Sequence, residues 1–267
     1  MEVPIYQIDA FASALFRGNP AAVCPLERWL PDNVLQAIAA ENNLAETAYY
    51  VPENGLYRLR WFTPAVEVEL CGHATVATAC VILDIRKERT GSRVAFETMS
   101  GELAVERTSQ DGRPLYALDF PAKPPKACSV DPKLSSALGA KPSETLAGHG
   151  YFCVFSSEEE VRNLRPNMDG LASLDRPMLI ATAPGEDCDF VSRFFAPAKG
   201  IPEDPVTGSA HTSLIPYWSE RLGKKSMFAR QISARGGELW CEDLGERVRI
   251  AGRAVPYLEG RIQVPCN

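Results

Sequence analysis

The sequence predicts an α+β protein of two similar domains, each a sheet rolled around one apolar central helix. Three observations lead there. Two glycine-opened helix patterns, at 72–85 and 208–222, stand at corresponding places in the chain. Each is followed by short runs of alternating apolar and polar residues, separated by turn residues, as in half-buried sheet. Between the two halves lies PAKPPKACSVDP, residues 121 to 132, with four prolines in twelve residues, the composition of a linker. The domains are therefore placed at 1–120 and 130–267.

The elements follow in chain order. MEVPIYQIDAF at the start reads as a strand. PDNVLQAIAAENN, 31–43, reads as an amphipathic helix with Asp32 as its cap and Leu35, Ile38 and Ala39 on its inner face. YRLRWF is a strand that leads through a proline-containing loop to Gly72 and the helix GHATVATACVILDI. RVAFE, GELAVE and PLYALDF then read as strands. In the second half SRFF leads to Gly208 and the helix GSAHTSLIPYWSERL, which Pro216 is expected to kink or shorten. GGELWCE, RVRIAG and YLEGRIQV complete the pattern.

The halves also resemble each other residue by residue. At an offset of 136, Gly72 meets Gly208, Ala74 meets Ala210, Gly101 meets Gly237, Glu102 meets Glu238, Leu103 meets Leu239 and Glu106 meets Glu242. Upstream, LRWFTPA (59–65) matches SRFFAPA (192–198) at an offset of 133, so the second half has gained three residues within KGIPEDPVT. An ordered series with one short insertion is the mark of internal duplication.

Composition bounds the function. With 45% hydrophobic and 23% charged residues, 267 residues make an ordinary globular chain. The net charge of −6, without a basic cluster, argues against nucleic acid as a partner. No apolar run reaches the length of a membrane span, and the start lacks the basic-then-apolar pattern of a signal peptide. Eight cysteines, none in CxxC spacing, suit a cytoplasmic protein with reduced thiols. His73, His149 and His211 do not fall in ligand spacing, so no metal is expected.

The candidate chemistry lies at two places. In EDPVTGSAH (203–211) acids precede a helix start. Either Thr207 and Ser209 cap the helix and the acids favour its dipole, or the bare N–H groups bind an anion while Asp204 holds a second polar group. Glu46, at the junction of helix and strand in ENNLAETAYYV, is either a solvent-exposed acid or a half-buried one whose pKa burial raises towards neutrality. His73 can serve a bound carboxylate or cap its own helix. Cys71 is an activated thiolate or, more simply, an inert buried thiol. His211 reads as structural, and Asn19 as a turn residue or, less simply, as one that reaches the pocket. At the offsets above, Glu46 meets Leu179 and Cys71 meets Thr207, so acid and thiol each occur in one half only. One base on one side suits a proton shuttle rather than a symmetric two-base machine.

FRGNPAAVC, NLAET, LRWFTPA, LCGHAT, RFFAPA, EDPVTGSAH and RGGEL occur in an order that closely resembles the PhzF-like family of phenazine biosynthesis, over nearly the whole chain. That family is related to diaminopimelate epimerase and proline racemase. The resemblance implies two epimerase-like domains with the active site in the cleft between them, and a final strand that can cross back to the first domain. It implies Glu46 as the catalytic acid/base. His73, Asp204 and Ser209 would line the pocket, and Gly72 and Gly208 would offer backbone N–H groups to a substrate carboxylate. It further implies catalysis without metal or organic cofactor, and a homodimer. The two-cysteine epimerases differ: Cys71 matches their first thiol, but Pro205 stands in the part of DPVTG that corresponds to the second. The expectation is a cofactor-independent isomerase acting on a small cyclic or unsaturated carboxylate. A cysteine-dependent epimerase and a non-catalytic adaptor are the alternatives.

Overall fold

A computed structural model of the chain describes residues 1–53, 55–148 and 150–265. His149 and Cys266, named above, lie outside the described residues. The chain forms two compact units: residues 1–119 together with those from 251 onward, and residues 120–250.

In the first unit the strand Glu2–Ala10 is flanked by two antiparallel partners, Asn19–Pro25 and the late strand Ala254–Gln263. The sheet continues from Asn19–Pro25 in four steps. Glu46–Glu53 pairs with it in parallel, Leu56–Phe62 is antiparallel to that, Arg93–Thr98 is parallel, and Gly101–Gln110 is antiparallel. The second unit makes the same four steps. Tyr151–Val154 pairs in parallel with Leu179–Pro184, which is antiparallel to Phe190–Ala196; Ser226–Gln231 is parallel to that, and Gly237–Asp243 is antiparallel.

Each unit wraps this sheet about one helix. In the first it is Gly72–Cys80, prolonged by a π-helical turn at Val81–Ile85. Every residue from His73 to Cys80 is buried. A helix enclosed on all sides needs small apolar residues and no unsatisfied hydroxyl. Ala74, Ala77 and Ala79 meet the first need. Thr75 and Thr78 meet the second by donating back to the carbonyls of Cys71 and Ala74. A second helix, Asp32–Asn42, covers the outer face of the sheet, where Leu35 and Ala39 pack with Ile5, Cys24, Tyr49 and Phe62. Its N-cap is Pro31, not Asp32, whose carboxylate instead takes a hydrogen bond from Arg60 at 2.9 Å. The helix thus starts one residue earlier than the capping pattern suggests, and the acid is free to pair across the surface.

In the second unit the central helix is Gly208–Leu222, and Pro216 does not interrupt it. Proline removes the N–H that would have reached the carbonyl of Thr212. The N–H of Lys123, in the proline-rich segment, donates to that carbonyl at 2.9 Å instead. The helix keeps its length because its missing hydrogen bond is supplied from outside.

The duplication recurs as an ion pair. Arg60 Nε donates to Glu67 at 2.7 Å, and Arg193 Nε donates to Glu203 at 2.7 Å. The arginines are related by the offset of 133 and the glutamates by 136, so each pair brackets the point where the three residues entered.

Candidate functional site

In the first unit the chemistry gathers at the starts of two parallel strands and one helix. Parallel pairing sets Ala21 beside Glu46, so both strands begin at the same edge of the sheet. Gly18, with φ of +68°, turns the chain into the first of these strands. A β-carbon there would lie 2.2 Å from the carbonyl oxygen of Ala10, so only glycine fits. Asn19 follows as the first strand residue and is fully buried. The turn reading of Asn19 is therefore wrong: its Nδ2 lies 3.3 Å from His73 Nδ1.

Glu46 opens its strand, and its side chain is 14% exposed. The solvent-exposed reading of this acid is excluded. Glu46 Oε2 stands 3.0 Å from His73 Nε2. Cys71, the N-cap of the helix, puts its Sγ 3.5 Å from His73 Nδ1 and 4.0 Å from Nε2. Glu46, Cys71 and His73 each offer one donor atom within 4.8 Å of the other two. A metal ion could be held there, a grouping that ligand spacing along the chain does not reveal.

The charges of these three groups depend on one another. Burial raises the carboxyl pKa of Glu46, but the charge of His73 and the neighbouring thiol outweigh it, and Glu46 ends below its ordinary value. The expected elevation by burial is thus overturned by the imidazole beside it. Burial alone would depress His73, but Cys71 and Glu46 raise it well above its usual range. Burial and Glu46 together push the Cys71 thiol up, which favours the protonated thiol over an activated thiolate. The directions favour a carboxylate on Glu46 and a proton on His73 or on the Cys71 thiol beside it. An imidazolium needs an acceptor at Nδ1, and the amide of Asn19 supplies one when its oxygen faces the ring.

In the second unit the residues of EDPVTGSAH form a tight loop ahead of the helix. Thr207 is the N-cap, yet its hydroxyl makes no capping bond and donates to Asp204 Oδ2 instead. The side chain of Ser209 is exposed and does not cap either; its carbonyl accepts from Thr212. The capping reading of Thr207 and Ser209 fails, and neither central helix has its start closed by an N-cap side chain. Asp204 is half-buried at the end of the strand Ile201–Asp204. The loop is held by a residue the sequence reading did not single out. Gln231, fully buried, accepts from the Thr207 N–H at 2.9 Å and donates to the Asp204 carbonyl at 2.8 Å and to Thr207 Oγ at 3.1 Å. Its position at the end of an alternating strand gives no sign of this, because the partners come from a distant loop.

His211 is buried and structural. Its Nδ1 donates to the Thr207 carbonyl at 2.9 Å, and burial lowers its pKa to about 4. Thr75 makes the equivalent bond to Cys71 in the first helix, at the 136 offset. All seven described cysteines are free thiols. Among the described residues, no helix is long and apolar enough to cross a membrane.

Comparison with known proteins agrees with the fold. The family described as phenazine biosynthesis-like protein matches residues 8–260. An uncharacterised isomerase of Pseudomonas aeruginosa is 50% identical over 264 residues, covering 99% of this chain and all of that protein. The human phenazine biosynthesis-like domain-containing protein is 40% identical, with 98% of this chain and 99% of that one covered. A crystal structure of a PhzF-family protein from Enterococcus faecalis superposes with a TM-score of 0.95 at 45% identity, over 99% of this chain and all of the other. The fold extends to a hydroxyproline epimerase of Agrobacterium vitis, at a TM-score of 0.61 and 10% identity. With motifs, repeated topology and relatives in agreement, the chain belongs to the phenazine biosynthesis-like isomerase family.

Proposed function

We propose that this protein shifts a proton on a small cyclic or unsaturated carboxylate, with Glu46 as its single acid/base and without a bound cofactor. The observation that carries the reading is the largely buried Glu46 carboxylate held 3.0 Å from His73. A carboxylate kept ionised by its neighbour is ready to accept a proton. Glu46 takes the proton from one carbon of the ligand and returns it to another, so the product is an isomer and no electron leaves the molecule. His73 balances the charge that Glu46 gains and loses.

The anionic end of the substrate is assigned to backbone N–H groups at the helix start Gly72, in the unit that carries Glu46, where dipole and donors favour negative charge. In the second unit Asp204, Ser209 and the backbone N–H of Gly208 form a polar helix start of the kind that takes an anion or a hydrogen-bond donor. The absence of an N-cap side-chain bond at Gly72–Cys80 supports this assignment. The chain is placed in the cytoplasm, where its thiols stay reduced, as a homodimer acting on a small anionic substrate rather than on nucleic acid or membrane.

The test is Glu46→Gln, which keeps the shape and removes the proton carrier. Turnover should fall by roughly 10²–10⁴ or more, while fold and ligand binding survive. A screen of small carboxylates for binding to that variant supplies the compounds, and the parent protein is then tested for isomerising them. Undiminished turnover by Glu46→Gln would refute the role.

A second reading is a cysteine-dependent epimerase, favoured by the contact of the Cys71 thiol with His73. Full activity of Cys71→Ser excludes it. The raised pKa of that thiol, and the lack of a matching cysteine at Thr207, weigh against it. A non-catalytic adaptor has no need of a buried carboxylate paired with histidine.

A further inference from the structure

We propose that Glu46, Cys71 and His73 form a binding site for a thiophilic divalent cation, zinc in the first instance, and that the bound ion blocks the proton chemistry of Glu46. The binding half rests on geometry alone. The blocking half rests on the function proposed above.

Three donor types meet here, a carboxylate oxygen, an imidazole nitrogen and a thiol sulfur. Zinc takes all three, at about 2.0–2.2 Å for oxygen and nitrogen and about 2.3 Å for sulfur. Around a tetrahedral ion those lengths put donor atoms roughly 3.3–3.7 Å apart. Glu46 Oε2 to His73 Nε2 is 3.0 Å, and Cys71 Sγ to His73 Nε2 is 4.0 Å. Those two pairs reach the required spacing by shifts of a few tenths of an ångström, and all three atoms lie within 4.8 Å of one another. A second observation is independent of these distances. Glu46 Oε2 is shielded from solvent and has no hydrogen-bond partner of good geometry beyond its 3.0 Å contact with His73 Nε2. A buried carboxylate oxygen with a spare lone pair is suited to ligate a cation.

Charge and the supporting residues agree. A divalent ion with one carboxylate and one thiolate is neutral overall, which suits a site this deeply buried. Binding releases the Cys71 thiol proton and leaves His73 neutral, with its remaining proton on Nδ1. Asn19 Nδ2 lies 3.3 Å from that nitrogen, and with the amide turned over its oxygen accepts the proton, the usual outer support of a metal-bound histidine. Three protein ligands leave the fourth position of zinc to water. Once its oxygen is on the ion, Glu46 cannot take a proton from carbon.

The test uses the full-length protein and metal alone. Zinc titrated against a chromophoric chelator should bind one ion per chain. Cobalt in its place should show a thiolate-to-cobalt charge-transfer band in the near ultraviolet. Cys71→Ser should abolish the band, and Cys71→Ser, His73→Gln and Glu46→Gln should each weaken zinc binding. The loss should be about 100-fold for the thiol and the imidazole, at the upper end of what outer-shell changes cause. Cys128→Ala, which removes a half-buried thiol elsewhere, should leave zinc binding unchanged. Bound cobalt without a thiolate band in the parent protein overturns the proposal whatever the folding of the variants. Zinc uptake that survives Cys71→Ser, or that is lost in Cys128→Ala, overturns it as well. If zinc binds through these ligands and isomerisation continues in its presence, the site stands and the acid/base role of Glu46 falls.

Discussion

His73 and His211 sit near the starts of the two central helices, and their surroundings drive them to opposite charge states. His73 faces Glu46 and Cys71, which raise its pKa well above the usual range against its own burial. His211 is equally buried, but its Nδ1 meets only the Thr207 carbonyl, and its pKa falls to about 4. The second case predicts a pH dependence of stability. The unfolded imidazole titrates near 6.5, so between pH 6.5 and about 4 the unfolded chain binds the extra proton. Stability should therefore fall as pH drops through that window. The gap corresponds to about 3 kcal/mol in total. Urea midpoints at pH 7 and pH 4.5 measure it, and His211→Gln should remove most of the difference. At this scale the sequence was legible in part. NLAET and CGHAT pointed to Glu46 and His73, but the sign of the Glu46 shift was read backwards. Burial could be anticipated at a helix-to-strand junction; an imidazole 3.0 Å away could not.

Among the elements, the loop before Gly208 shows how a distant side chain stands in for a cap. Gln231 joins Asp204 and Thr207 through three hydrogen bonds, from the end of a strand far along the chain. Gln231→Met keeps the volume and leaves the buried Thr207 N–H without its acceptor. The expected cost is about 1–3 kcal/mol. Amide exchange at Thr207 should accelerate with it, while the strand Ser226–Gln231 keeps its protection; unchanged exchange at Thr207 would show that the staple contributes little. The segment 121–132, read only as a linker, acts in the same way, since its Lys123 N–H completes a helix that Pro216 would otherwise leave with an open carbonyl. Periodicity and glycine positions placed both central helices. What closes them came from elsewhere in the chain, and local pattern carries no trace of it.

Over the whole molecule, the repeat explains why one strand is far from its partner in sequence. Ala254–Gln263 pairs with Glu2–Ala10 along its full length, so the end of the chain belongs to the first compact unit. Deleting residues 254–267 should unsettle that unit rather than the one that precedes it in the chain. Hydrogen exchange should rise in Glu2–Ala10 and Asn19–Pro25, and the strands Leu179–Pro184 and Phe190–Ala196 should stay protected. Uniform loss of protection, or none, would contradict the division. The shared order of parallel and antiparallel steps, and the repeated Arg60–Glu67 and Arg193–Glu203 pairs, fit the duplication read from aligned residues. Zinc binding at Glu46, Cys71 and His73 depends on the opposite property, the difference between the halves, because Leu179, Thr207 and Ser209 stand at the matching positions of the second.

By itself the sequence determined the fold class, the two central helices and most of the strands, because alternation, glycine punctuation and internal repetition are properties of neighbours along a chain. Only the tertiary structure decided that Asn19 lies beside His73, that Gln231 holds Asp204, that neither N-cap side chain closes its helix, and that His73 lowers the pKa of Glu46. Those outcomes depend on distances through space and on depth from solvent, and residues remote in sequence acquire both only when the sheet closes around its helix.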